Sequence, residues 1–187
     1  VGGATLPELA ALLDRQLLYR AADQRYQLHE LIRQFASERL RNMPEEYGHV
    51  EQSYADYFMS VLAQLTPALQ GEQPGASLDQ IDALIADIRA AWRLQIAREK
   101  LDALGRGGRA LWLYYAARGS HSEGEALFRE AAEACADAID HAGLKGFLLV
   151  AQGYCITRQG RMPEGRVLLD QGMSMLRRAE PRDLRHE

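Results

Sequence analysis

Gly119-Ser120-His121-Ser122-Glu123-Gly124-Glu125-Ala126-Leu127-Phe128 decides the fold, because it is met again as Gly160-Arg161-Met162-Pro163-Glu164-Gly165-Arg166-Val167-Leu168-Leu169. The two stretches lie 41 residues apart, and at that offset Gly105 also meets Gly146 and Ala110 meets Ala151. Each copy reads as a helix, a glycine stop, and a small residue opening a second helix. A terminal glycine permits the left-handed turn that ends a helix. A small residue inside the second helix lets the pair approach closely. The spacing therefore predicts antiparallel helix pairs.

Tyr115, Gly119, Gly124, Phe128 and Ala131 give the order aromatic, turn glycine, small, aromatic, small. The second unit keeps Gly160, Gly165 and Gly172 but carries Ile156 and Leu169 where the first has aromatics. This pattern resembles a tetratricopeptide repeat, whose usual period is ~34 residues. A longer period implies helices extended by roughly a turn each, and such units resemble the repeats of bacterial regulators. Stacked helix pairs bury a continuous core and present a binding face. Since ~3 or more units usually make a stable stack, the helices around 77–100 and 101–118 are expected to supply a cap. Further repeats are expected beyond Glu187.

Outward from the repeats, the other elements are also helical. Thr5 and Glu8 form a capping box with Pro7 in the first turn, followed by Leu9, Leu12, Leu13 and Leu17 at helical spacing. Leu18-Tyr19-Arg20 and Arg25-Tyr26-Gln27-Leu28, around Ala21-Ala22-Asp23-Gln24, predict a small β-hairpin. A helix from about Glu30 to Arg41 follows, then a break at Asn42-Met43-Pro44. Tyr47, Val50, Tyr54, Tyr57, Val61, Leu65 and Leu69 predict a long amphipathic helix. The loop Gln70-Gly71-Glu72-Gln73-Pro74-Gly75-Ala76 precedes an expected capping box of Ser77 and Gln80. Gly105-Arg106-Gly107-Gly108 reads as a helix–helix connection. The fold class is all-α with one hairpin, and the expected division is 1–43, 44–100 and 101–187.

Bulk chemistry narrows the function. A net charge of −4 argues against a dedicated nucleic-acid binder, which shows a concentrated basic surface. Cys135 and Cys155 are the only cysteines. They sit in helical patterns without ligand spacing, so both are expected in the core of a cytoplasmic protein. No apolar run approaches the ~18 residues that span a bilayer. His49, His121 and His141 lack partners at metal or triad spacing, and no Gly-x-x-x-x-Gly-Lys-Ser/Thr loop is present. Catalytic residues and metal ligands are therefore expected to be absent. Trp112 and Phe128 are expected to pack in the core. Tyr114 and Tyr115 are candidate partner-binding residues, because the run 112–115 covers most of a helix's circumference and leaves one tyrosine outside.

Arg25-Tyr26-Gln27-Leu28-His29-Glu30-Leu31-Ile32-Arg33-Gln34-Phe35-Ala36, the helix carrying Ala86-Asp87-Ile88-Arg89-Ala90-Ala91-Trp92, and the repeats occur in a recognisable order. The chain resembles the region C-terminal to the nucleotide-binding core of bacterial STAND-class (NB-ARC-like) ATPases, many of them transcriptional regulators. Asp87 stands where that family customarily has asparagine, and Glu30 where relatives often have aspartate. The resemblance implies a winged-helix remnant, a helical linker and tetratricopeptide-like repeats. It also implies that His29 lies near the diphosphate of ADP in the intact protein, so that ADP and ATP are cofactors of that protein although this chain holds none. The expected function is a non-catalytic regulatory and sensor segment whose repeats bind a protein or small effector. A free-standing helical-repeat adaptor is the alternative.

Overall fold

Proline and glycine punctuate the chain where its helices begin and end. The computed structural model describes residues 5–20, 26–135 and 141–179. In order these form α1 (Leu6–Asp14), β1 (Leu18–Arg20), β2 (Tyr26–Leu28), α2 (Glu30–Arg41), α3 (Pro44–Leu69), α4 (Gly75–Ala97), α5 (Leu101–Arg118), α6 (His121–Ala134), α7 (Ala142–Arg158) and α8 (Met162–Arg178). The described residues are all-α with a small antiparallel hairpin, as the sequence predicts. It comprises two compact units that divide between Tyr54 and Ala55, within α3.

In the first unit, the Glu8 carboxylate accepts from the backbone N and the hydroxyl of Thr5 at 2.7 and 2.9 Å, fixing the start of α1. The hairpin pairs Leu18 with Leu28, Tyr19 with Gln27 and Arg20 with Tyr26. Across it the Tyr19 hydroxyl donates to Gln27 Oε1 at 2.8 Å. The expected turn Ala21-Ala22-Asp23-Gln24 lies outside the described residues. Neither α1 nor α2 contains a buried residue. Leu6, Leu31 and Phe35 remain 80%, 68% and 58% exposed.

The second unit has a dense core. Trp92 of α4, Phe128 of α6 and Tyr115 of α5 stack edge to face, with centroids 6.2 and 6.1 Å apart. All three are fully buried, and each such side chain contributes roughly 1.5–3 kcal/mol. The Trp92 indole N–H donates to the Leu127 carbonyl at 3.3 Å. Buried Gln95 donates to Asp56 Oδ1 at 2.9 Å. Cys135 and Cys155 are free and buried, as expected.

Two local expectations are corrected. The Ser77–Gln80 box does not cap α4, because the helix begins earlier, at Gly75, with Pro74 at the cap. The Pro74 carbonyl already accepts from Leu78 N at 2.9 Å, and Ser77 is buried in the first turn. Gly105 to Gly108 lie inside α5 rather than in a connection. A Cβ on Gly107 would lie 3.1 Å from Leu62 Cδ1 and Met59 Sδ, and one on Gly108 2.9 Å from Phe147 Cε1. Close approach of neighbouring elements, not chain reversal, is what these glycines provide.

The repeat is realised as two helix pairs, α5–α6 and α7–α8, whose first helices start 41 residues apart, as do their second helices. Both turns use a left-handed glycine, Gly119 at φ 73° and Gly160 at φ 86°.

Candidate functional sites at the hairpin–helix junction and along the repeats

His29 separates β2 from α2. Its backbone is extended (φ −57°, ψ 140°), and it occupies the N-cap of α2 without a side-chain capping bond. The residue is exposed. Its carbonyl starts the helix by accepting from Arg33 N at 2.9 Å. Next in sequence, Glu30 is held by Arg33, which donates from Nε and Nη2 at 2.9 and 2.7 Å, and by Gln34 at 2.8 Å. The Arg33 hydrogen bonds, then that of Gln34, bring its carboxyl down to about 2. A helix N-terminus attracts anions through its free N–H groups and dipole. An imidazole at that position can add a further donor to a phosphate oxygen.

Tyr114 and Tyr115 sit elsewhere, in the second unit, and the expectation that one of them is exposed is corrected: both are buried. Residues 112–115 do circle α5, but that helix is packed on several sides. Toward α4, the Tyr114 hydroxyl donates to Asp82 Oδ1 at 2.7 Å. Arg89 Nε donates to the Tyr115 hydroxyl at 3.0 Å, while its Nη2 pairs with Glu123 of α6. Arg118 closes the cluster on Asp79 and Asp82 at 2.6 and 2.5 Å. Burial, followed by the bond to Asp82, pushes the Tyr114 phenol far above its ordinary range. Burial also raises Tyr115, opposed by Arg89. The Tyr114 hydrogen bond is the main cause of the lowered Asp82 carboxyl. These contacts lock α4, α5 and α6 together and engage both phenol oxygens.

A third cluster joins the two helix pairs. Glu125 of α6 is buried. Arg161, at the α7–α8 turn, donates from Nη1 to both of its carboxylate oxygens at 3.0 and 2.9 Å. Gln159 Nε2 adds a bond of 2.7 Å. Arg161 also reaches Glu164 through Nη2 at 2.6 Å, and the two carboxylates raise its pKa well above the usual arginine value. Nearby, the rings of Trp112 and His121 both stand edge-on to Tyr154, at 5.8 and 5.9 Å. Trp112 Nε1 and His121 Nδ1 are buried there without a hydrogen-bond partner among the described residues. Trp112 is thus half-buried at the junction of the pairs, whereas Phe128 fills the core as expected.

Sequence reasoning missed Arg89, Asp82, Glu125 and Arg161. One signal was available: the aligned repeats place Glu125 opposite Arg166 in register, a charge reversal at a position otherwise kept small or apolar around it. Among the described residues no group of His, Cys, Asp and Glu could hold a metal ion. No described helix is long and apolar enough to cross a membrane. Comparison with protein-family models, curated proteins and solved structures gave no match in any of the three.

Proposed function

We propose that this chain is a non-catalytic regulatory and sensor segment of a nucleotide-switched signalling ATPase of the STAND class, a bacterial transcriptional regulator acting in the cytoplasm. The observation that carries this reading is the uncovered state of the first unit. Leu6, Leu31 and Phe35 face solvent, and α1 and α2 bury nothing of their own. Leu31 and Phe35, four residues apart on α2, put exposed apolar area on one side of that helix, the kind of surface that another body covers. A winged-helix remnant completed by an ATPase core fits that requirement. In this reading His29 donates to the diphosphate of ADP held by the core, while Glu30 is kept from competing by Arg33 and Gln34. The chain itself holds no nucleotide.

The second unit supplies the effector arm. Its helix pairs bind a protein or small effector, and the net charge of −4 speaks against direct nucleic-acid binding. Its self-sufficient core favours a second reading, a free-standing helical-repeat adaptor. A phosphate-binding loop upstream of Val1 separates the two.

The test uses the intact protein. One charge-assisted hydrogen bond is worth about 1.5 kcal/mol, so His29→Ala speeds ADP release about tenfold, with higher basal signalling. Chase of a fluorescent ADP measures the rate, and an unchanged rate removes His29 from the sensor role. Calorimetry on this chain alone shows no heat of ADP binding.

A further inference from the structure

The stacking of the second helix pair on the first identifies a flank of α6. It contains His121 against Tyr154, Glu125 clamped by Arg161 and Gln159, and buried Phe128 and Ala132. Advancing each by the 41-residue offset gives Met162, Arg166, Leu169 and Met173 of α8. In the first pair this flank is covered. In the second it is open: Met162 is 61% and Met173 42% exposed, and Leu169 is half-buried. Arg166 is exposed as well, and its ion pair, 3.8 Å to Asp170, is with its own helix.

We propose that the α8 flank formed by Met162, Arg166, Leu169 and Met173 is the seat of a third helix pair, stacked as α7–α8 stacks on α5–α6, whose interhelical turn carries a carboxylate facing Arg166. Continuity with the observed interface places the occupant. Charge complementarity selects it. Where the first pair offers an acid, Glu125, to an arginine at the incoming turn, the second offers an arginine. An unaltered copy of α7–α8 would bring a second Arg161 against Arg166, and like charges in such a contact reject the partner. Two methionines beside the arginine suit a helix surface, since their unbranched thioethers adapt to the shape that covers them. This inference rests on the helical-repeat part of the proposed function and is independent of His29 and ADP.

The experiment extends the chain with a copy of residues 142–179, joined after residue 182 so that the 41-residue register continues. In one form the copied turn arginine is retained, and in the other it is replaced by glutamate. The glutamate form melts about 3 °C higher by calorimetry, the shift expected for a charge exchange of about 1 kcal/mol in a chain of this size. In that form Met173 is protected from peroxide oxidation. Arg166→Glu in the original α8 reverses the order of the two melting temperatures. Equal melting temperatures with Met173 equally oxidised in both forms overturn the proposal, whether or not the copied pair folds. It also falls if the unextended chain self-associates and Met173→Lys returns it to monomer, because a second copy then holds the flank.

Discussion

The helix pairs α5–α6 and α7–α8 share a register and a turn glycine but are joined by different means. Between α5 and α6 the contact is aromatic: Tyr115 meets Phe128 edge to face, and Trp92 of α4 backs Phe128 from the other side. Between α7 and α8 it is backbone against backbone. A Cβ on Gly172 would lie 2.6 Å from the Gly146 carbonyl oxygen, and one on Gly165 2.7 Å from that of Gly153. Gly146 and Gly153 are seven residues apart, as are Gly165 and Gly172, so both contacts fall on one seam of each helix. At the matching places the first pair has Gly105, Trp112, Gly124 and Ala131. One topology can thus be closed by filling the space between helices or by removing it. Both routes reach dense packing, but they fail under opposite substitutions.

Removing volume tests the first route. Phe128→Ala, at a fully buried site between two aromatic partners, destabilises the protein by about 4 kcal/mol in chemical denaturation. Leu169→Ala, its counterpart on α8, costs less than half of that because Leu169 is only half-buried. Equal losses would mean that the two pairs are closed alike.

Adding volume tests the second. In Gly146→Ala the new methyl would sit 3.0 Å from the Gly172 carbonyl oxygen and 3.1 Å from Leu176 N. Two backbones must separate to admit it, at a cost of about 2 kcal/mol. Gly105 occupies the aligned position on α5, and a Cβ there finds only Leu144 Cδ1, at 4.0 Å. Gly105→Ala therefore stabilises by about 0.5–1 kcal/mol through helix propensity alone. A pair of thermal melts reads the opposite signs, and matching signs would remove the distinction.

The same residues show what could be read from the sequence. Turn glycines 119 and 160 and the small residues at 124 and 165 are local signals with a fixed offset, and they gave the helix pairs directly. Gly105 to Gly108 carry an equally strong local signal for a turn, yet they lie inside α5, where Gly107 meets Leu62 and Met59 and Gly108 meets Phe147, all remote in sequence. His29 could be placed because a strand ends and a helix begins around it. The surroundings of Tyr114 and Tyr115 could not, since their partners Asp82 and Arg89 lie 32 and 26 residues away on another helix. Glu125 and Arg161, 36 residues apart, likewise meet only after the second pair has stacked on the first.

That stacking gives the smallest effect and the one specific to the covered pair. His121 opens α6 with its Nδ1 buried and, among the described residues, without a hydrogen-bond partner. Burial, with a lesser contribution from the Arg158 charge, lowers its pKa from the usual 6.5. The folded imidazole thus takes its proton at a lower pH than the unfolded one. Stability attributable to it is whole above pH 6.5 and drains as the pH falls through 6.5 toward the lower folded value. Urea denaturation at pH 7.5 and 5.5 reads this as a fall in stability that His121→Gln reduces. The counterpart Met162, exposed on α8, cannot titrate, so the acid sensitivity belongs to the covered flank. If His121→Gln leaves the fall undiminished, His121 titrates alike in both states and its burial between the helix pairs is refuted.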